Sequence, residues 1–235
     1  MRYALYFAPE RGSMLATLAH AWLGRDPATG LTVPHPDLEG MGKGGLAAIT
    51  SAARRYGFHG TLKAPFELAD GVGEADLVQA MSLFCADYPG FDVPSLSASL
   101  LDGFLALTPT QRSPELEHFA GEVVRVFDPF RAPLSDADVE RRNPASLSSA
   151  ELRNLMRWGY PYVFESFRFH MTLSSRLNGE DRSRVLAIAK SYFAPVLERP
   201  VAVDALTLFV EPEPGAPFEI HSRVPLSSGR ERKTA

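Results

Sequence analysis

Two tripeptides in this chain, His59-Gly60-Thr61 and His170-Met171-Thr172, stand about half its length apart, and each is preceded by Phe and followed by Leu. Imidazole titrates near pH ~6.5, so two of them can be held with one neutral and one protonated near neutral pH. That is the pair needed for simultaneous general base and general acid catalysis. If both segments are strands, alternate side chains share a face. His59, Thr61 and Lys63 then point one way, and Phe58, Gly60, Leu62 and Ala64 the other. In the second copy His170, Thr172, Ser174 and Arg176 share one face, while Phe169, Met171, Leu173 and Ser175 share the opposite one. Two such polar faces brought together would gather two imidazoles, several hydroxyls, an ammonium and a guanidinium around one anion. That is a phosphate site, with Thr61, Thr172, Lys63 and Arg176 donating to the non-bridging oxygens as charge redistributes.

Plainer readings compete with this one. A lone His on a half-buried strand is more often a structural hydrogen-bonding residue, and Thr is common on strands by propensity. The repeat, with identical flanks, favours chemistry for both His and both Thr. Lys63 and Arg176 read equally well as solvated rim charges. Among Arg54, Arg55 and Tyr56, just before the first motif, Arg55 and Tyr56 are candidates for substrate contact, although Arg is also favoured at a helix C-terminus. Tyr6 and the run Trp158, Tyr160, Tyr162 offer aromatic faces for stacking, or for packing. His20, His35, His118 and His221 have no matching motif and read as structural or surface residues.

The elements that must position the motifs follow from periodicity. Arg2 to Pro9 reads as a strand, Ser13 to Gly24 as a helix with a Ser cap and a Gly stop, and residues 25 to 45 as a loop. A helix ending near Gly57 feeds a strand of about His59 to Leu68. A helix over Glu74 to Tyr88, two strands hinged at Asp102-Gly103 and a Ser-capped helix over Ser113 to Phe127 complete the first half. Asp128 to Gly159, rich in Pro, Ser and charge, predicts a loop with one or two short helices. The second half repeats the order: a motif strand over Phe167 to Arg176, a helix, then two closing strands. Strands mixed with helices and hairpins indicate an α+β fold with mainly antiparallel sheets. Residues 1 to 227 read as one domain with a motif in each half, and 228 to 235, polar and without apolar residues to bury, as a disordered tail.

Composition excludes several classes. With 45% hydrophobic and 22% charged residues over 235 positions, the chain is an ordinary globular protein with enough length for a large core. A net charge of -4 gives no basis for wrapping a large polyanion. Cys85 is the only cysteine, so no intrachain disulfide or cysteine-rich zinc site forms. The usual metal-ligand spacings are missing, and no cofactor is expected. Gly42 to Gly45, with Lys43, is glycine-rich but lacks the P-loop spacing. No apolar run is long enough for a membrane span, and the expectation is a cytoplasmic monomer.

The paired motifs resemble those of the 2H phosphoesterase superfamily. The wider segments "RRYGFHGTLKAPF" and "WGYPYVFESFRFHMTLSSRL" are most similar to its branch associated with bacterial phosphonate metabolism. The resemblance implies a bilobed, pseudo-twofold α+β fold with a central cleft and flanking helices. It also implies metal-independent hydrolysis of a cyclic phosphodiester, with His59, Thr61, His170 and Thr172 as the site. The branch implies a small ribose cyclic phosphate as substrate, with a nucleotide also open. Two alternatives stand beside it: an RNA-end 2′,3′-cyclic phosphodiesterase or 2′-5′ RNA ligase-like enzyme, and a noncatalytic nucleotide- or phosphate-binding module.

Overall fold

The computed structural model describes residues 1–228 and is α+β, built on one large antiparallel sheet. The expected tail, apart from Ser228, lies outside the described residues. The first half runs β1 (Arg2–Phe7), α1 (Met14–Leu23), α2 (Gly45–Tyr56), β2 (Gly60–Phe66), α3 (Glu74–Asp87), β3 (Phe91–Val93), β4 (Leu96–Leu101), β5 (Phe104–Pro109) and α4 (Pro114–Phe127). The second contains α5 (Asp136–Arg141), α6 (Ser149–Trp158), β6 (Met171–Thr172), α7 (Gly179–Leu197), β7 (Val201–Val203), β8 (Ala205–Glu211) and β9 (Glu219–Pro225).

Local chemistry sets the boundaries. Ser13 caps α1, its hydroxyl accepting from the Ala16 amide, and Gly24 ends the helix in the left-handed region. Ser148 and Glu151 form a reciprocal capping box on α6. Asp102 and Gly103 both have positive φ, as the tight β4–β5 turn requires. The segment over 128–159 forms α5 and α6 joined by short 3-10 turns, as its composition predicts.

The seven-stranded sheet has the order β4-β5-β6-β2-β1-β8-β9, and β3 pairs with β7 in a separate two-stranded ribbon. The two motif strands are central neighbours. Each motif strand is followed by a helix, a short strand and a hairpin, and both β2 with β6 and β3 with β7 pair antiparallel, as related halves would about a local twofold. Alternation divides the sheet into two faces. Tyr3, Leu5 and Phe7 of β1 join the main core with residues of α1, α3, α4 and α7. Ala4, Tyr6 and Ala8 join Phe209 and Phe218 in a small cluster on the other face.

Two expectations about the motif strands need correction. The second, expected over Phe167 to Arg176, is a strand only at Met171–Thr172. Beyond Thr172 the ladder breaks, because the amides of Leu173 and Ser174 both donate to the Leu105 carbonyl, and the Ser175 amide leaves the sheet for Ile49. In β2 the alternation expected through Lys63 fails. Tyr6 partners Thr61 but Leu5 partners Lys63, so β2 carries one extra residue there. This bulge turns Lys63 onto the face of Leu5, away from Thr61.

Candidate functional site

Gly60 and Met171 are Cα partners in the antiparallel pairing of β2 with β6. The two tripeptides therefore run head to tail, with His59 across from Thr172 and Thr61 across from His170. Gly60 is required by close approach: a Cβ there would run into the ring of Phe169, the residue before His170. The other side of the second motif is held by Trp22, whose buried indole Nε1 donates to the Leu173 carbonyl at 2.9 Å. Both histidines make the same local bond. His59 Nδ1 donates to the Gly57 carbonyl at 2.9 Å, and His170 Nδ1 donates to the Arg168 carbonyl at 2.8 Å. A carbonyl only accepts, so Nδ1 carries the proton in each ring and Nε2 is left for the site.

The surroundings of the two rings differ. His59 stacks on Tyr6, with centroids 3.9 Å apart, and Phe209 lies at 6.0 Å and Tyr56 at 6.2 Å. Burial pulls its pKa down to about 4, the Gly57 bond opposing and nearby His170 adding to the fall. His170 has Phe104 at 5.6 Å.

A cavity of about 700 Å³ opens over this face, within the size range of small-molecule sites. His59, Thr61, Thr172, Tyr6 and Tyr56 line it. Tyr6 is almost fully buried, and burial drives its hydroxyl pKa well above the usual value. Tyr56 stacks on Phe218 at 5.2 Å. Arg55 also lines the cavity, but it is committed to Glu211 and donates to the Ala216 carbonyl at 3.2 Å. Ser174 borders the cavity and is 2% exposed, its hydroxyl accepting from the Leu105 amide and donating to the Ser175 carbonyl.

Lys63 and Arg176 are not brought to this cavity. Lys63 is 3% exposed and pairs with Asp128 at 3.3 Å, and burial, opposed by Asp128, lowers its pKa to about 8. Arg176 is exposed and packs its stem over the Gly103 turn. Arg54 turns back along its own helix to the Ala47 carbonyl at 2.6 Å. Of the three aromatic residues at and beyond the end of α6, Tyr160 lines the cavity, Trp158 packs on Phe164 and Tyr162 is exposed.

Sequence reasoning missed Arg2, Arg141, Arg142 and Glu211. Glu211 is fully buried at the end of β8. Burial pushes its pKa up, but bonds from Arg2, the Gly215 amide and Arg55 outweigh it and keep the carboxylate below its usual range. Arg2 partners Glu211 across the β1–β8 ladder, a pairing that only the sheet register reveals. Arg141 and Arg142 sit in a segment whose sequence indicates only a loop with short helices. Among the described residues, no three His, Cys, Asp or Glu side chains converge as a metal-binding group. No helix among them is long and apolar enough to cross a membrane.

The fold and site thus define an α+β protein with two His-x-Thr motifs opposed on adjacent strands, of which His59, Thr61 and Thr172 line an arginine-bearing cavity while His170 is not among the residues that line it. The chain belongs to the family described as protein of unknown function (DUF1045), whose model matches residues 61–219. It is 40% identical over 235 residues to a ribose 1,5-bisphosphate phosphokinase PhnN of Janthinobacterium sp. (strain Marseille), covering 98% of this chain and 52% of that protein. It is 38% identical over 220 residues to the protein of that name from Laribacter hongkongensis (strain HLHK9), covering 94% of this chain and 50% of that protein. The chain spans about half the length of these curated relatives. A crystal structure described as a phosphoesterase aligns over 96% of this chain and 98% of its own, at 14% identity and a TM-score of 0.40, a likeness too slight to carry argument.

Proposed function

We propose that this protein hydrolyses a cyclic phosphodiester to a phosphomonoester by two-histidine general acid and base catalysis. The observation that carries the reading is the Gly60–Met171 register, which sets each His against the Thr of the other motif, with matching Nδ1 bonds that free both Nε2 atoms. The burial that keeps His59 neutral suits it to take a proton from the attacking water. The water oxygen bonds to phosphorus, one ring P–O bond breaks, and the departing sugar oxygen takes its proton from Nε2 of His170, which enters the step as the imidazolium and leaves it neutral with its Nδ1 proton still donated to the Arg168 carbonyl. Thr61 and Thr172 hydroxyls donate to the non-bridging oxygens as negative charge grows there.

A small ribose cyclic phosphate of phosphonate catabolism is the substrate class in this reading. The relatives' name supports it, since it places ribose bisphosphate chemistry in proteins about twice this length. Their kinase step is not read into this chain. Gly42 to Gly45 leads directly into α2 with no strand before it, and the sequence lacks the spacing of a phosphate-cradling loop.

The test is a turnover screen of purified protein in EDTA against ribose 1,2-cyclic phosphate, nucleoside 2′,3′-cyclic phosphates and RNA ends, with the product phosphate located by phosphorus NMR. Metal-independent ring opening of the small sugar phosphate is expected. Preference for RNA ends would move the protein to the RNA-processing class, and binding without turnover across the panel would make it a binding module.

A further inference from the structure

Glu211, at the end of β8, is an acidic residue with no solvent exposure. A buried carboxylate is tolerated only when its oxygens are fully met by donors. Three donors meet them here: the Arg2 guanidinium, the Arg55 guanidinium and the Gly215 amide, the last at 3.0 Å. They come from three walls of the cavity, namely the start of β1, the last turn of α2 and the loop between β8 and β9.

The Arg55 link leads on to His59. Arg55 Nε donates to the Ala216 carbonyl, and the Arg55 carbonyl accepts from the Phe218 amide at 2.8 Å, so side chain and backbone both clamp the end of α2 to that loop. Tyr56, next along, stacks on Phe218. Gly57 follows at φ 72 and lies so close to Pro27 that a Cβ would come within 2.6 Å of the proline side chain. Pro27 is tied in turn to the start of β9, its carbonyl accepting from the Ile220 amide at 2.9 Å. The Gly57 peptide is thus held from both sides, and its carbonyl is the one that accepts the His59 Nδ1 proton.

We infer that Glu211 is a positioning residue for His59: by anchoring Arg55 it fixes the end of α2, and so keeps the Gly57 carbonyl where it holds the imidazole proton on Nδ1 and leaves Nε2 free to act as base. In a neutral imidazole the hydrogen bond made by one nitrogen decides the state of the other. A site residue keeps that geometry only as well as the groups behind it are locked. The inference rests on the reading of His59 as the base, but the tautomer it concerns can be measured without turnover.

The test reads the His59 tautomer at pH 7 from side-chain nitrogen shifts in nitrogen-15-labelled wild type, Glu211→Gln and Arg55→Met, with folding checked by circular dichroism. The Gln amide has one oxygen for donors that now arrive on two, and turns its own N–H toward one of them. Arg55→Met cuts the link from its other, partly exposed end and leaves Glu211 with Arg2 and the Gly215 amide. Should Glu211→Gln fail to fold, Arg55→Met alone decides. The wild type is expected to show a protonated Nδ1 and a bare Nε2, and both variants to share the proton between the two nitrogens. In Glu211→Gln, kcat for ribose 1,2-cyclic phosphate is expected to fall by about tenfold or more, with a smaller change in KM. A His59 that keeps its proton on Nδ1 in either folded variant overturns the inference, whatever the enzyme hydrolyses. So does a Glu211→Gln effect confined to KM, which would make the carboxylate a brace for the cavity wall alone. If the wild type turns over no cyclic phosphate, the hydrolytic reading fails, while a tautomer change in the folded variants still upholds the positioning role.

Discussion

The Tyr6 ring lies nearly parallel to the His59 imidazole, at 19° between planes and 3.9 Å between centroids. The stack covers one face of the imidazole and, with Phe209, keeps the ring from solvent that would stabilise its cation. An unfolded chain takes up the His59 proton near pH ~6.5. The folded one does so at about 4. Between those values the unfolded state holds more protons, so stability falls as pH falls through this window and loses nothing further below it. In urea unfolding at pH 7 and at pH 4.5, the wild type should lose about 1 to 2 kcal/mol more than His59→Gln, allowing for the solvent that reaches the ring from the cavity. Equal losses would show that the folded protein does not hold His59 neutral.

Removing either imidazole should remove most of the rate. His59→Ala and His170→Ala are each expected to lower kcat by ~10²–10⁴, the usual worth of a positioned proton-transfer group. Thr61→Val and Thr172→Val should cost ~10²–10³ through loss of a transition-state donor. Thermal unfolding run alongside separates chemistry from folding, and turnover at the wild-type rate in either His variant would end the two-histidine mechanism.

Gly60→Ala tests the close approach between the motifs. Its added methyl meets the Phe169 ring, so the strands must separate or the ring must move, at about 1 to 3 kcal/mol. Turnover should fall with stability, because the same shift pulls His59 away from Thr172. Pairing it with Phe169→Leu should recover part of both, and full stability in Gly60→Ala alone would show that the gap between the strands is soft.

Lys63 and Asp128 are predicted to respond unequally. Asp128 also faces Arg131 at 3.2 Å and Arg157 at 3.4 Å. Lys63→Met leaves that carboxylate with two cations and should be neutral or stabilising in chemical denaturation. Asp128→Asn strands a buried ammonium and should cost about 3 kcal/mol or more. The Lys63 pKa of about 8 adds a pH signature. Below it the buried cation costs stability, and the cost is relieved as pH rises from about 8 toward the unfolded value, a slope that Lys63→Met should abolish.

What could be seen in the sequence was what local rules encode. Ser13 and Gly24 mark a helix, Asp102-Gly103 marks a hairpin, and the duplicated His-x-Thr marks a pair of related strands. The face assigned to Lys63 was lost because a bulge changes alternation without changing composition: "TLKAPF" looks regular until it is laid against Leu5 and Tyr6. The short β3 escaped because three residues carry too little pattern to stand out. Arg2 was invisible for a different reason. Its pairing is set by sheet register, and its partner Glu211 is claimed by residues 209 and 156 positions away.

β6 makes its sheet bonds only to β5 and β2, both from the first half of the chain. Until that short strand is threaded between them, β2 and β5 have no ladder in common, and the sheet exists as two unconnected pieces. Such distant pairing pays its chain entropy before it gains any contact, and it is slow to form. The seam that joins the sheet is also the line along which the two His-x-Thr tripeptides run past each other. On the proposed function, recovery of turnover during refolding is expected to mark the closing of the whole sheet, and a partly folded chain with most of its helices in place to be catalytically silent.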